Sequence, residues 1–233
     1  QEEFDLGLRA LEARDFGAAF DRFTAVLELA PDHAAAHFYR GGILFGRQAF
    51  PEALADFSEA IRLDPQNAAA HVARATLQSQ RGHYDDALRD LDAALAIDPD
   101  DAYSLNNRAF VYRQTRQFDL AIADYEEALR LSPDHDAPAG GLAWILATCP
   151  DTEFRDGPRA VTLATQACEA SHWRDRIALE TLAAAYAETQ NFPEAIQRQQ
   201  AAIELLPDGS QHRAECEARL QRYQQQEPWR DGP

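Results

Sequence analysis

Residues 86–99 have the sequence DALRDLDAALAIDP, and this apolar pattern ending in proline occurs four times in the chain. The other copies are AAFDRFTAVLELAP at 18–31, EALADFSEAIRLDP at 52–65 and LAIADYEEALRLSP at 120–133. The closing prolines stand at 31, 65, 99 and 133, a constant spacing of 34 residues. A fixed period of this length predicts a repeat protein, in which stacked units bury a shared core.

Residue size also repeats at fixed distances before each closing proline. Apolar residues recur at i, i+3, i+4 and i+7, which predicts two helices per unit. Small residues let these helices approach, bulky residues fill the gaps, and proline ends the second helix because it lacks a backbone N–H. The columns are Phe16, Phe50, Tyr84 and Phe118 (aromatic); Ala19, Ala53, Ala87 and Ala121 (small); Phe23, Phe57, Leu91 and Tyr125 (bulky); and Gly7, Gly41, Ala75 and Ala109 (small).

These columns resemble the tetratricopeptide repeat (TPR) family, whose 34-residue helix–turn–helix unit has small, aromatic and proline positions at these places. Tyr39-Arg40-Gly41 and Asn107-Arg108-Ala109 resemble a common Asn-Arg-Gly variant of that unit. LAWILATCPD (142–151), with the following RDG, and LETLAAAYAE (179–188) resemble a terminal pair of units in bacterial TPR proteins. The resemblance implies an all-α fold: a right-handed α-solenoid of about six units with a C-terminal capping helix.

We expect one solenoid over residues 1–233. Its repeats would be 1–33, 34–67, 68–101, 102–135, 136–173 and 174–208, followed by a capping helix at 209–227 and a tail at 228–233. Residues 141–148 and 158–170 predict the two helices of repeat five, separated by a loop, 149–157, about five residues longer than its counterparts. An aromatic-Arg-Asp sequence occurs in this loop, at 173–175 and at 229–231. The sequence leaves open whether the loop closes the solenoid or offers a second docking edge.

Charge is divided between the two helices of each unit. Residues 34–49, 66–82 and 102–117, the first helices of repeats two to four with their turns, contain arginine but no acid, although the net charge is −17. The acids lie on the second helices. In the TPR family the first helices line the concave face, so the resemblance implies a neutral to basic groove. Alternatively, Arg40, Arg74 and Arg108 pack their stems between units and keep their heads in water.

The same resemblance places a partner-binding groove on the first helices. Asparagine can bond an extended backbone, aromatic rings supply contact area, and arginine can bind a carboxylate with two hydrogen bonds. We therefore expect a protein or peptide partner with a carboxylate-bearing or aromatic segment. The candidate residues are Phe38, Tyr39, Val72, Thr76, Tyr103, Asn106, Asn107, Phe110, Arg113 and Trp144.

Composition disfavours other partners. A net charge of −17 opposes binding to nucleic acid or to an anionic membrane. No apolar run approaches the roughly 18 residues that a membrane span needs. We expect a soluble protein, either cytoplasmic or exported with a signal peptide removed before Gln1. No cofactor or metal is expected, and the oligomeric state stays open.

Few residues suggest catalysis. Cys149 would need a base, and His135 and His172 are the nearest in sequence; the alternative is a small apolar residue closing a helix. A Cys149–Cys168 disulfide is disfavoured because Cys168 would lie roughly 15 Å further along the second helix. His33 and His37 have an i, i+4 spacing, but no third metal ligand accompanies them.

Three functions follow, in order of preference. The first is a noncatalytic protein–protein interaction module that binds a segment in the concave groove. The alternative is a structural or accessory scaffold subunit of a larger assembly, docking through its edges or cap. The remote alternative is a Cys149-dependent enzyme.

Overall fold

The computed structural model describes residues 2–133, 136–207 and 209–231, which form thirteen α-helices and no β-strand. The all-α prediction is confirmed. A short 3₁₀ helix, Thr152–Phe154, lies between the ninth and tenth α-helices. The α-helices are α1 (Glu2–Glu12), α2 (Phe16–Leu29), α3 (Ala34–Gly46), α4 (Phe50–Leu63), α5 (Ala68–Gln80), α6 (Tyr84–Ile97), α7 (Ala102–Gln114), α8 (Phe118–Leu131), α9 (Asp136–Thr148), α10 (Gly157–Ala170), α11 (Arg176–Glu188), α12 (Phe192–Glu204) and α13 (Arg213–Gln224).

The helices belong to two compact units, Gln1–Val111 and Tyr112–Pro233, whose boundary falls within α7. In the first unit each helix from α1 to α6 packs on the next, and in the second the same holds from α8 to α13. First helices also touch one another, since α3 contacts α5 and α9 contacts α11. Packing between sequential neighbours is the arrangement expected of stacked helical repeats.

The turn from the first to the second helix of a unit has a recurrent backbone conformation. After α1, α3, α5, α7 and α11 it is three residues long, and its middle residue has a positive φ of 58–77°. The N–H of its third residue donates to the carbonyl five positions earlier, at 2.8–2.9 Å, which closes the helix end. The middle residues are Arg14, Gln48, Gly82, Arg116 and Gln190. Glycine therefore occurs at one of the five, although a left-handed backbone costs other residues about 1–2 kcal/mol.

The small column that contains Gly7 and Gly41 packs against the bulky column that contains Phe23 and Phe57, as predicted. A Cβ atom on Gly7 would lie 2.7 Å from the ring of Phe23, and one on Gly41 would lie 2.9 Å from the ring of Phe57. Phe23 and Phe57 are almost fully buried. A larger residue at either glycine would push these rings aside, and such overpacking costs about 1–3 kcal/mol.

The loop between α9 and α10 is longer than the other turns between paired helices, and Gly157, placed at the end of this loop from the sequence, is the first residue of α10. Eight residues, 149–156, separate α9 from α10, against three in the turns described above. The first of these helices, α9, is longer than predicted, because it begins at Asp136 rather than near residue 141. Pro138 falls in its first turn, where a missing backbone N–H costs no helical hydrogen bond.

Candidate partner-binding surfaces

The candidate groove residues on α3 are largely committed to the core. Tyr39 stacks on Phe23 with ring centroids 5.4 Å apart, and Phe4 lies 5.9 Å from the same tyrosine. Phe38 packs 6.3 Å from Phe57. Both α3 aromatics are half-buried, so only part of each side chain is accessible.

Three of the α5 and α7 candidates, Val72, Thr76 and Tyr103, line an open apolar pocket of the first unit. Tyr103 is 52% exposed and Phe110 is 37% exposed, while Val72 is buried. Thr76 uses its hydroxyl to donate to the Val72 carbonyl. The pocket has a volume of about 290 Å³ and is lined by Ala68, Ala69, Val72, Ala73, Thr76, Asp101 and Tyr103.

The two asparagines of α7 differ little in exposure, and both are half-buried. The buried Nδ2 of Asn107 has no hydrogen-bond partner within the described part of the chain. An unpaired buried donor carries a free-energy cost.

The remaining two candidates belong to the second unit. Arg113 is half-buried, and its positive charge opposes the rise that burial causes in the pKa of Tyr125. Trp144 is half-buried and already has a partner, because its indole Nε1 donates to the Asp231 carboxylate at 2.6 Å.

Two of the three repeated arginines, Arg40 and Arg74, bind buried carboxylates of the second helices, whereas Arg108 pairs with the exposed Asp92 at 2.8 Å. The Arg40 guanidinium donates to both carboxylate oxygens of Asp56 at 2.7 and 2.8 Å. Arg74 donates to Asp90 at 2.8 and 2.7 Å. The two aspartates are 5% and 4% exposed, so these second-helix acids are buried rather than part of a solvated face. Each pair cancels its own charge.

A histidine completes each of these clusters. His37 places Nδ1 2.8 Å from Asp56 and Nε2 2.9 Å from the Pro31 carbonyl. His71 repeats this with Asp90 and the Pro65 carbonyl, each at 3.2 Å. We call these sets the His-Asp-Arg clusters: His37, Asp56 and Arg40; and His71, Asp90 and Arg74. Their bonds tie the first helix of a unit to its second helix and to the preceding proline turn.

These contacts also account for the histidine pair considered for metal binding. The Nδ1 of His33 accepts the Ala36 N–H at 3.2 Å and caps α3, whereas His37 belongs to its cluster. Among the described residues, no group of three His, Cys, Asp or Glu side chains is placed to hold a metal ion.

In the second unit a buried carboxylate organises α11 and α13. Glu180 is 5% exposed and accepts from Arg219 at 2.6 Å and from the Cys216 thiol at 3.1 Å. Arg176 donates to it as well. Sequence reasoning missed this site, although a lone acid inside ALETLAAAYA (178–187) was the available signal.

Arg219 also joins two tryptophans. Its guanidinium carbon lies 5.1 Å from the ring centroid of Trp144 and 5.3 Å from that of Trp229. Cations near aromatic faces are attracted to the ring quadrupole. Helix α13, which contains Arg219, is thereby connected to α9 and to the C-terminal tail (residues 228–231).

The repeat-five loop and the C-terminal tail meet at one carboxylate. Arg155 of the loop donates to Glu188 Oε1 at 3.0 Å, and Arg230 of the tail donates to Oε2. Arg155 further binds the Cys149 carbonyl, and Arg230 binds the Ala147 carbonyl. The loop is therefore fastened to the end of α9. Its Asp151–Glu153 edge stays exposed.

The third aromatic-Arg-Asp sequence has a different role. Trp173 is 40% exposed and lies under the Arg198 guanidinium, 4.9 Å from the ring centroid. Asp175 caps α11 by accepting the Ile177 N–H at 2.8 Å. The aromatic-Arg-Asp sequence thus occurs at three places, and at two of them its arginine binds the same carboxylate, that of Glu188.

The cysteines are buried free thiols. Burial raises the pKa of Cys149, and it raises the pKa of Cys168 and of Cys216 to about 11 each. A thiolate is the nucleophilic form, so these sites suppress the reactivity that the enzyme alternative requires. His135, one of the bases considered, lies outside the described residues.

Thiol labelling tests this conclusion directly. At pH 8 we expect the native chain to react with a thiol-specific disulfide reagent at least about a hundredfold more slowly than the urea-unfolded chain, because burial limits both access and ionisation. If one thiol of the native chain reacted as fast as in the unfolded chain, and peptide mapping identified it as Cys149, then Cys149 would again be a candidate nucleophile.

Among the described residues no helix combines the length and the apolar character required to cross a membrane.

Comparison with known proteins agrees with this architecture. Models of the tetratricopeptide repeat match residues 4–68, 44–106 and 77–143. YrrB, described as a TPR protein with an unusual peptide-binding site, is 19% identical, with 80% of this chain and 93% of YrrB covered and a TM-score of 0.61. Pseudomonas aeruginosa pilF is 19% identical, with 93% and 96% covered and a TM-score of 0.76.

A chain of the APC/C heterotetramer Cut9–Hcn1 is 16% identical, with a TM-score of 0.77. It covers 95% of this chain, which spans only 42% of that longer one. No curated protein is significantly similar in sequence. At these identities the likeness to solved structures concerns the fold alone.

Proposed function

Because the chain belongs to the tetratricopeptide repeat family, we propose that it is a noncatalytic protein–protein interaction module that binds a peptide or protein segment on its first helices. The observation that carries the proposal is the pocket of α5 and α7, where Tyr103 stands 52% exposed beside apolar side chains. Exposed aromatics next to a concave apolar surface are typical of binding sites.

The pocket favours an aromatic or branched aliphatic side chain. Its walls are mostly alanine, valine and the threonine methyl, with the tyrosine at the rim. Asn106 and Asn107 lie on the same helix as Tyr103 and would bond the backbone of an extended segment. Asp101, also in the lining, disfavours an acidic group at this point. YrrB supports a peptide ligand by analogy.

The test is retention of the native partner by a chain carrying Tyr103→Ala and Phe110→Ala. We expect retention to fall at least about tenfold, because truncating central aromatic contacts commonly costs 1–2 kcal/mol or more each. The matched control is Leu29→Ala, which removes an 83% exposed apolar side chain from the second helix α2 and is expected to retain the partner.

Equal retention by the double variant and the control, with unchanged helical circular dichroism, would refute the groove assignment. Crosslinks to the partner concentrated on residues 150–157 and 210–231 would then favour the alternative of a scaffold subunit that docks through its loop and cap.

A further inference from the structure

The C-terminal tail folds back over the second unit. After α13 the chain reverses at Gln226, which has a φ of 59°, and the Glu227 N–H donates to the Arg222 carbonyl at 2.9 Å. Residues 224–227 are exposed, whereas residues 228–231 are half-buried. The tail crosses α11 and reaches the end of α9, so it lies on first helices of this unit.

Each side chain of Trp229-Arg230-Asp231 has its own receptor on that surface. Trp229 packs against the cluster of Ala183, Ala187, Ala195 and Tyr223. Arg230 donates to Glu188 and to the Ala147 carbonyl at the end of α9. Asp231 accepts from Trp144 through its side chain, and its own N–H donates to the Thr148 carbonyl at 3.1 Å.

The receptor groups define the chemistry of their ligand and its direction. The patch lined by alanines binds an aromatic ring. The Glu188 carboxylate, together with the carbonyl at the end of α9, binds a guanidinium, and the indole N–H of Trp144 binds a carboxylate. Because these groups follow one another along the surface, they match the order aromatic–arginine–acid. Trp144, an expected groove residue, is the one that binds the acid.

The tail fits this surface imperfectly. The indole Nε1 of Trp229 and the hydroxyl of Tyr223 in the same cluster are buried without a hydrogen-bond partner among the described residues. Each unpaired polar atom weakens the docked state. Within the described part of the chain, one backbone hydrogen bond, from Asp231 to Thr148, joins residues 228–231 to α9. Such a segment can be exchanged.

We propose that residues 228–231 are an intramolecular ligand of a recognition surface on α9 and α11, and that a partner protein carrying an aromatic–arginine–acid segment binds there by displacing them. This deepens the proposed function, on which it rests, by naming the chemistry of a segment that first helices would bind. It concerns the second unit only.

The experiment uses the full chain with Trp229→Ala, Arg230→Ala and Asp231→Ala, which releases the surface. The probe is a fluorescent peptide, QEPWRDGP, copied from residues 226–233, titrated by anisotropy. The released chain should bind it at least about tenfold more tightly than the wild type, because a tethered tail competes at an effective concentration in the millimolar range. The reversed peptide, PGDRWPEQ, should bind neither chain.

The matched control is Gln224→Ala with Gln225→Ala, just before the tail, which should bind the peptide as weakly as the wild type. If the triple variant loses its helical circular dichroism, Arg230→Ala with Asp231→Ala removes the polar contacts and keeps the tryptophan packing. This second variant is then expected to bind the peptide more tightly than the wild type, but by less than about tenfold, because Trp229 still competes for the aromatic patch.

Equal binding of forward and reversed peptides by a folded released chain, up to about 1 mM, would overturn the proposal and leave the tail as a structural strap. A wild-type dimer that the triple variant abolishes would also overturn it, since the occupant would then be the tail of a second copy. Because Tyr103 and Phe110 play no part in this assay, its failure is separate from failure of the proposed function.

Discussion

Replacing Glu180 with alanine is expected to lower the free energy of unfolding by about 3–5 kcal/mol. The carboxylate is 5% exposed and is bound by Arg219, which is itself 7% exposed. Removing one member of a buried ion pair leaves the other charge desolvated, here with the more exposed Glu215 as its remaining carboxylate, and that cost exceeds the loss of a single contact. Urea denaturation followed by helical circular dichroism measures the change.

The control is Glu215→Ala, which removes a second carboxylate bound to the Arg219 guanidinium. Arg219 also binds Glu215, whose side chain is 53% exposed, so Glu215→Ala should cost less than about 1 kcal/mol. The double variant Glu180→Leu with Arg219→Met should recover much of the loss, because apolar side chains of similar size need no charge compensation. A Glu180→Ala variant as stable as Glu215→Ala would mean that water reaches the cluster.

The fold could be predicted because the repeat imposes the same steric demand many times. Gly7 and Gly41 stand at one column and Phe23 and Phe57 at another, and each glycine lies against the phenylalanine sixteen residues later. A size pattern of this kind survives in the sequence without any knowledge of long-range contacts. The ends of the second helices could also be predicted, because the proline that closes a unit cannot continue the helix.

The buried ion pairs were not predicted, although part of the signal was present. Asp56 and Asp90 recur at the 34-residue period, each sixteen residues after an arginine. The distribution of charge suggested acids on the second helices and a neutral to basic groove on the first helices. Only packing shows that these two columns face each other, which turns an expected binding charge into a structural one.

The docked tail had no periodic signal at all. Its contacts join residues more than 40 positions apart, as from Arg230 to Glu188, or more than 80, as from Asp231 to Trp144. The similarity of 154–156 to 229–231 hinted at a shared environment, and both arginines do bind Glu188. The face that the tail covers depends on the turn after α13. That turn requires a left-handed backbone conformation at Gln226, which cannot be predicted from the sequence.

In the first unit, Asp90→Ala is expected to cost about 3–5 kcal/mol, and Asp92→Ala on the same helix less than about 1 kcal/mol. Asp90 is 4% exposed and binds both Arg74 and His71. Asp92, two residues later, is exposed and pairs with Arg108 at 2.8 Å. Each variant removes one aspartate carboxylate from α6, and the two sites differ in burial and in the number of partners, so the contrast measures the cost of breaking a buried cluster against that of an exposed pair.

Asp56→Ala provides an independent copy of the test, because the first His-Asp-Arg cluster repeats the geometry of the second one repeat earlier. We expect it to match Asp90→Ala to within about 1 kcal/mol in urea denaturation, since measured interactions vary with context. A loss at Asp90 no larger than at Asp92 would show that the cluster is hydrated. Arg40 and Arg74 would then be available to a partner's carboxylate, and the neutral to basic groove expected from the sequence would regain its support.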